Sequence, residues 1–167
     1  MLIRKLEKDD ARLLRSCRLF GLKESPDSFL AAYHEVSDTP LSDVESELED
    51  ENIRYVGAFA GEEIVGFMRF VRFKRSARRH VAEVRSVYVK KALRGQQIGS
   101  RLLRHLIEDA RAAGIESLVL AVLADNAAAR RLYESRGFQL HGMEPRGVKK
   151  ERGYIDQALY SLDLTAT

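Results

Sequence analysis

Residues 81–123 contain the feature that most constrains the fold: an apolar strand, a glycine-bearing turn, an amphipathic helix and a second apolar strand in succession. Over 97–113, apolar residues recur at the three- and four-residue spacing of a one-sided helix, and Gly114 follows at the position of a left-handed cap. Strands flanking one helix in this way pair in parallel through a right-handed crossover. We therefore predict strands over 81–90 and 117–123, with a ligand site beyond their carboxyl ends.

The rest of the chain predicts further strands and helices, recognised by capping residues and by runs of Ile, Val, Tyr and Phe. Before residue 81 they are a strand at 2–6, a helix capped by Asp9 or Asp10 and running to about Phe20, a helix opened by Ser25-Pro26-Asp27 and running through Tyr33 and His34, a helix after Pro40, and a hairpin of strands 53–60 and 63–73. After residue 123 they are a helix capped by Asp125 or Asn126 and stopped by Gly137, then an antiparallel pair at 138–144 and 153–164. We expect a single α/β domain, residues 1–167, built on a mixed, mostly antiparallel twisted sheet of about six or seven strands with helices on both faces.

Composition narrows the class of protein. With 45% hydrophobic and 32% charged residues among 167, the chain is expected to be soluble and globular. The longest apolar run, near 118–124, is far shorter than the ~20 residues of a membrane span. The N-terminus lacks the apolar region of a secretion signal, so we expect a cytoplasmic protein with no membrane partner. A single Cys17 is expected to be buried rather than nucleophilic, and the four histidines lack ligand spacing, so no metal is expected.

Charged side chains cluster in two segments, although the net charge is only +3. The acidic segment 43–51 is interpreted as a solvated helix and the basic segment 72–79 as a solvated hairpin loop. The basic segment holds Phe73 but lacks the interleaved aromatic residues that stack on bases, so no nucleic-acid partner is expected. Exposed edge strands near the C-terminus leave room for a homodimer.

The turn at 94–99, RGQQIG, brings positive charge and bare backbone to the N-terminus of the amphipathic helix. A helix N-terminus presents unpaired N–H groups and about half a positive charge, so it binds phosphate without needing side chains. The alternative is a tight turn whose glycines serve only packing. No Lys-Ser or Lys-Thr follows the glycine and there is no Gly-x-Gly-x-x-Gly, so two familiar nucleotide-binding loops are excluded.

Three segments resemble the GNAT superfamily of acyl-CoA-dependent N-acyltransferases, in its order and spacing: EVRSVYV at 83–89, RGQQIG at 94–99 and NAAARRLYESRGF at 126–138. The resemblance implies the GNAT fold and an acetyl-CoA:amine N-acetyltransferase. Acetyl-CoA would be the cosubstrate, and a primary amine would attack it directly in a ternary complex. The family pattern usually has glycine where this chain has Gln97, and we expect a helical Gln97 whose N–H still faces the pyrophosphate.

The resemblance also implies the residues of the site. Glu83 would be the general base, through water, and Tyr133 would donate a proton or hydrogen bond to the departing sulfur. The alternatives are a Glu83 that only orients the acceptor or pairs with Arg85 or a neighbouring strand, and a Tyr133 that only packs in the core. The cofactor-binding residues would be Val87, Tyr88, Val89, Arg94, Gly95, Gln96, Gln97, Ile98, Gly99, Ser100, Asn126 and Ala129.

The cofactor assignment has one support from spacing alone. Asn126 and Tyr133 are seven residues apart, so they face one side of their helix, with the small Ala129 between them. By resemblance, the pantetheine arm would pair with the backbone of Val87 and Val89 like an added strand, and the Val87 N–H would donate to the thioester oxygen.

The sequence does not identify the acceptor amine. Phe29, Tyr33 and His34 are candidate acceptor-site residues, because the segment 25–34 falls where GNAT proteins build the acceptor pocket. Tyr154, from the last two predicted strands, is a further candidate. A small-molecule amine and a protein amine both remain open as partners. A non-catalytic acyl-CoA-binding or sensor module on the same fold is the alternative function.

Overall fold

The structure, a computed structural model that describes residues 1–166, is built on one seven-stranded sheet. Its strands are β1 (Leu2–Lys5), β2 (Ile53–Ala60), β3 (Glu63–Arg72), β4 (Val81–Val89), β5 (Ser117–Leu123), β6 (Gln139–Lys150) and β7 (Gly153–Asp163). They lie in the order β1-β2-β3-β4-β5-β7-β6. β4 and β5 pair in parallel and the other five adjacent pairs are antiparallel. The predicted mixed, mostly antiparallel sheet is therefore confirmed.

Helices cover both faces of the sheet, as predicted. They are α1 (Ala11–Glu24), α2 (Tyr33–Ser37), α3 (Leu41–Glu49), α4 (Ile98–Ala112) and α5 (Ala127–Ser135). Successive residues of a strand face opposite sides, and in β2 Tyr55 belongs to the core cluster that contains residues of α1 and α3, whereas Val56 belongs to the cluster that contains residues of α4. Each fully buried Leu or Ile contributes about 1.5–3 kcal/mol. No helix within residues 1–166 is long and apolar enough to cross a membrane.

The helix predicted from Ser25 through His34 is wrong. Residues Pro26–Ser28 form a single 3-10 turn, Phe29 is extended, and α2 begins only at Tyr33. The Phe29 ring packs against Tyr88 at 5.4 Å and Phe67 at 6.5 Å between ring centroids, so aromatic burial outweighs the local signal from proline. Two elements extend well beyond their predicted ends, because α1 continues to Glu24 and β6 continues to Lys150.

An opening in the sheet between β4 and β5 positions the candidate site. Their pairing ends at Glu83 opposite Val119, whereas β5 stays paired with β7 as far as Leu123. β4 also carries a bulge, because Ser86 and Val87 together oppose the single Met68 of β3, and Ser86 has a φ of +54°. The later half of β4 therefore leaves backbone groups unpaired on the side that faces β5.

Candidate functional site

The opening leads into a cavity of about 650 Å³ that reaches both faces of the sheet. On one face it is lined by residues that pack with α4 and α5, and we call these the α5 side: Val84, Val122, Asn126, Ala129 and Tyr133. On the other face it is lined by residues beneath α1, and we call these the α1 side: Arg18, Phe29, Arg69, Glu83 and Arg85. The cavity therefore joins a mostly apolar half to a strongly charged half.

The tip of α4 presents backbone donors. Among the described residues, the N–H groups of residues 95–100 have no hydrogen-bond acceptor. Gly95 has a φ of +80°, and no atom lies within 4 Å of where its Cβ would be. The expectation that Gln97 is helical is wrong: it is the N-cap, with a φ of +61° in the left-handed region. Glycine is favoured in that conformation.

Side chains around the tip are partly engaged within the protein. Arg94 Nε donates to the Val89 carbonyl oxygen at 2.9 Å, and its Nη2 donates to Ser25 Oγ at 3.2 Å. Arg136 Nη2 donates to Ser100 Oγ at 2.6 Å. Because Ile98 is buried in the core, it can reach an anion only through its backbone. The tip is therefore an anion-binding geometry made mainly of main chain.

The side chains of three β4 residues that were predicted to bind the cofactor lie on different faces of the sheet. Val87 and Val89 pack against the core cluster that contains α4, whereas the Tyr88 ring is buried with residues of α1 on the opposite face. The Tyr88 hydroxyl donates to Glu24, whose carboxylate also accepts from the Lys91 N–H at 3.1 Å. Tyr88 therefore fixes the end of β4 against α1, and its side chain faces away from the α5 side.

Asn126 and Tyr133 of the α5 side meet the same cavity, as their spacing predicted. Asn126 Oδ1 accepts from the Ala129 N–H at 3.1 Å and caps α5. Tyr133 is 5% exposed, and its ring lies 5.7 Å from that of Phe138. Its hydroxyl makes no hydrogen bond with the described residues, and burial raises the pKa of the phenol above its ordinary value. The hydroxyl is thus a protonated donor without a hydrogen-bond partner among residues 1–166.

Glu83 lies at the point where the sheet opens. Its side chain is 29% exposed and pairs with Arg85 at 2.7 Å, one of the alternatives left open by the sequence. Glu83 and Arg85 are alternate residues of β4, so both project to the α1 side.

A charged network on the α1 side was missed by the sequence analysis. Tyr55 O–H donates to Glu47 Oε2 at 2.6 Å, and Arg69 Nη1 donates to the same oxygen at 3.3 Å. Arg18 Nη2 lies 3.8 Å from it and also donates to the Tyr55 hydroxyl. Burial raises the pKa of Tyr55 to about 12. The available signal was Arg69 itself, a charged residue in the middle of an otherwise apolar strand.

The predicted acceptor-site residues do not all reach the cavity. Phe29 lines it, but Tyr33, His34 and Tyr154 lie outside the lining. Tyr33 lies under Lys23, with the ammonium 5.0 Å from the ring centroid, and Tyr154 lies under Arg146 at 3.9 Å.

The β6–β7 hairpin instead meets the 25–29 segment beside the cavity. Lys150 Nζ donates to the Phe29 carbonyl oxygen at 2.6 Å. Arg152, in the turn of the hairpin, pairs with Asp27 at 3.4 Å and with Asp125 at 2.5 Å. Hydrogen bonds and ion pairs therefore hold the hairpin across one margin of the site.

Known proteins match this chain over most of its length or over its central part. Residues 19–138 match the Acetyltransferase (GNAT) family. An L-methionine sulfoximine/L-methionine sulfone acetyltransferase of Pseudomonas aeruginosa is 38% identical over 82 residues, which are 49% of this chain and 48% of the relative. The N-alpha-acetyltransferase RimI of Mycobacterium tuberculosis is 39% identical over 100 residues, 60% of this chain and 61% of the relative. The chain thus spans about half to three fifths of these curated relatives.

Solved structures match nearly the whole chain. An acetyltransferase of the GNAT family from Streptococcus pneumoniae aligns with a TM-score of 0.86 and 28% identity, over 97% of this chain and 98% of that chain. A protein of Salmonella typhimurium, solved with its cofactor acetyl-CoA, has the same fold, with a TM-score of 0.84 and 23% identity over 100% of this chain and 95% of that chain. With the family match over residues 19–138, these alignments confirm the resemblance seen in the sequence, and the chain belongs to the Acetyltransferase (GNAT) family.

Proposed function

We propose that this chain is an N-acetyltransferase that moves an acetyl group from acetyl-CoA to a primary amine by direct attack in a ternary complex. Family membership supports the reaction class, and GNAT proteins use acetyl-CoA. The observation that carries the proposal is one cavity in which the unpaired β4 backbone meets the unpartnered hydroxyl of Tyr133. Acetyl-CoA, when bound, supplies the acetyl thioester.

The residues present fit acetyl-CoA. The N–H groups of residues 95–100 would hold its diphosphate, because they find no acceptor in the described part of the chain and lie at the positive end of a 15-residue helix. The backbone of Val87 and Val89 would hold the pantetheine arm, on the side of β4 that β5 leaves unpaired. Asn126 and Ala129 would lie along the pantetheine arm on the α5 side.

Tyr133 would act as the proton donor to the leaving sulfur. Burial disfavours the phenolate, so the hydroxyl carries its proton across the physiological pH range. A donor already bonded to a neighbouring side chain would have to break that bond first, and Tyr133 has no such bond among the described residues. The Val87 N–H would donate to the thioester oxygen, where negative charge develops during attack.

Glu83 would accept the proton of the acceptor amine, directly or through water. A lysine-like amine with a pKa of ~10.4 is neutral only about once in a few thousand molecules at pH 7, so a base matters for such an acceptor. Arg85, 2.7 Å away, would orient the Glu83 carboxylate. Cys17 would take no part, because it is outside the cavity lining and burial raises its pKa to about 12, which suppresses the thiolate.

The test is release of CoA thiol from acetyl-CoA over a panel of primary amines. We expect amine-dependent release, and we expect Tyr133→Phe to lower kcat about 100-fold or more, the range for loss of a general acid. Because the hydroxyl has no hydrogen-bond partner, the variant should unfold at the wild-type temperature and bind acetyl-CoA with unchanged affinity in calorimetry. Cys17→Ala is the control, and it should retain turnover. Full activity in folded Tyr133→Phe would contradict the assigned role.

The second candidate is a non-catalytic acyl-CoA-binding module. The observation that favours it is the pairing of Glu83 with Arg85, which competes with a catalytic role for the carboxylate. This candidate predicts tight acetyl-CoA binding without thiol release for any amine in the panel. Sustained amine-dependent turnover would exclude it.

A further inference from the structure

The α1 side of the cavity contains an arrangement of arginines that the acetyl transfer itself does not require. Tyr55, Arg69 and Arg85 are direct cross-strand neighbours on β2, β3 and β4, so their side chains form one row on the sheet surface. Arg18 reaches the same place from α1. Three guanidinium groups therefore meet at one end of a cavity whose other end holds Tyr133.

The charges in this arrangement do not balance. Arg85 is matched by Glu83 at 2.7 Å. Arg18 and Arg69, however, share the single carboxylate of Glu47, at 3.8 Å and 3.3 Å. Their side chains are 12% and 20% exposed, and Arg69 Nε is buried without an acceptor in the part of the chain that the structure describes. A partly buried guanidinium without its own counter-ion is costly, and its planar donors suit a carboxylate.

We propose that Arg18 and Arg69 bind a carboxylate of the acceptor, so that the substrate class is amines that also carry a carboxylate. This inference rests on the proposed N-acetyltransferase function and adds the acceptor class to it. With one bound carboxylate, two carboxylates, that of Glu47 and that of the acceptor, would match the two guanidinium groups of Arg18 and Arg69. A peptide or protein N-terminus, which has no free carboxylate near its amine, would lack this interaction.

The geometry also limits the size of the acceptor. Glu83 lies opposite Val71, two residues along β3 from Arg69, so Glu83 and Arg69 are diagonal neighbours on one face. The Cα atoms of diagonal neighbours lie about 7–8 Å apart, and their Cβ atoms somewhat closer. A molecule whose amine faces Glu83 while its carboxylate faces Arg69 is therefore small, with the two groups separated by a few bonds, as in an amino acid.

The first experiment compares acids with their amides. The probes are the standard α-amino acids, β-alanine and γ-aminobutyrate, each beside its primary amide, and thiol release is measured. We expect at least one acid to be used with a kcat/KM roughly 10- to 100-fold above that of its amide, the range for a charge-assisted hydrogen bond. Amidation lowers the pKa of the amine and raises its neutral fraction, so this preference would run against intrinsic reactivity. Equal use of acids and amides would overturn the inference.

Variants of the arginines test the residues themselves. Arg18→Gln and Arg69→Gln should each raise KM for the acid roughly 10- to 100-fold and leave kcat/KM for the amide and KM for acetyl-CoA unchanged. Glu47→Gln should lower KM for the acid, because it frees both guanidinium groups, and a purely structural network would not produce that gain. Arg12→Gln, on the exposed face of α1, is the matched control and should change nothing. Variants that weaken acid and amide alike would overturn the assignment.

A binding measurement separates this inference from the proposed function. The same acids and amides are titrated calorimetrically into protein saturated with CoA. Arginine-dependent binding of an acid without any thiol release would support the carboxylate site and count against the transferase. Turnover of amines without a preference for carboxylate would support the transferase and count against the carboxylate site. If no acid binds in preference to its amide, the inference is wrong whatever the turnover.

Discussion

The α4 tip and the α1 side of the cavity are built in different ways. At the tip, six consecutive N–H groups, of residues 95–100, lack acceptors within residues 1–166, so the site is made of neighbouring backbone atoms. On the α1 side, Arg18, Glu47, Tyr55 and Arg69 come from α1, α3, β2 and β3 and meet only when those four elements pack together. The tip is therefore encoded locally, whereas the α1 side depends on long-range packing.

Because of this difference, we expect the α4 tip and the α1 side to respond differently to substitutions. Helix geometry sets the donors of the tip, so side-chain changes there should alter charge or local strain while the donors persist. The α1 side should depend on whatever holds α1 over the sheet, because a small displacement of that helix would separate Arg18 from Glu47. Three substitutions test this contrast.

The largest effect is expected at the start of α1, where Asp10 ties the helix to β1. Arg4 donates to the Asp10 carboxylate at 2.7 and 2.8 Å, and the Glu7 N–H donates to it at 2.8 Å. Asp10→Ala should lower the free energy of unfolding by about 2 kcal/mol, the range for hydrogen bonds to a charged group. Urea unfolding measures this, and Asp9→Ala is the matched control, because Asp9 is exposed and should change stability by less than about 0.5 kcal/mol.

The pH dependence of this contribution has a definite sign. The hydrogen bonds from Arg4 lower the pKa of Asp10 below its ordinary value, although burial acts in the opposite direction. A carboxyl with a lowered folded-state pKa stabilises the fold fully above its unfolded pKa of ~3.9, and loses that contribution as the pH falls through the lowered value. The difference between wild type and Asp10→Ala should therefore shrink below about pH 4. A difference that stays constant from neutral pH to pH 3 would contradict this account.

The same contrast explains which structural features were predictable. Hydrophobic period and cap residues act within a few neighbours, so they located α4, β5 and the hairpin of β2 and β3, with Gly114 at a φ of +77° as the expected cap. The order of the central segments and the spacing of Asn126 and Tyr133 likewise placed two α5-side residues on one cavity. These signals are local, and the structure preserves them.

What escaped prediction depends on partners far along the chain. Phe29 leaves the expected helix because its ring packs with Phe67 and Tyr88, which are strand residues 38 and 59 positions away in the numbering. The row of Tyr55, Arg69 and Arg85 exists only through strand register, which sequence periodicity does not specify. The sequence therefore indicated single residues of the α1 side, such as Glu83 and Phe29, but not the network of Arg18, Glu47, Tyr55 and Arg69.

A smaller effect is expected when the charge at the tip is changed and its geometry is kept. Gln96→Glu is nearly isosteric and adds one negative charge beside the N–H groups of residues 95–100. It should weaken acetyl-CoA binding about tenfold at low salt, because the added carboxylate repels the diphosphate, and less at high salt because of screening. Calorimetry at two ionic strengths measures the change.

Two controls connect Gln96→Glu to the contrast between the two regions. The free energy of unfolding should not fall, because a carboxylate near a helix N-terminus is favourable. KM for the acceptor amine should also remain unchanged, because Gln96 lies outside the residues that line the cavity, whereas Arg18 and Arg69 of the α1 side line it. Unchanged acetyl-CoA affinity at both ionic strengths would place the diphosphate away from this tip.

The smallest effect is expected from Gln97→Gly, which changes local strain at the tip. Gln97 has a φ of +61°, a conformation that costs a non-glycine residue about 1–2 kcal/mol, while glycine loses more entropy on folding. The net gain should be about 0.5–1 kcal/mol in urea unfolding. Gln96→Gly is the matched control, because Gln96 lacks the positive φ and should show no gain. If both variants lose stability, Gln97 is not left-handed in solution. If only Gln97→Gly gains stability and acetyl-CoA affinity stays the same, then the glycine usual in the family provides a backbone conformation rather than room for the diphosphate.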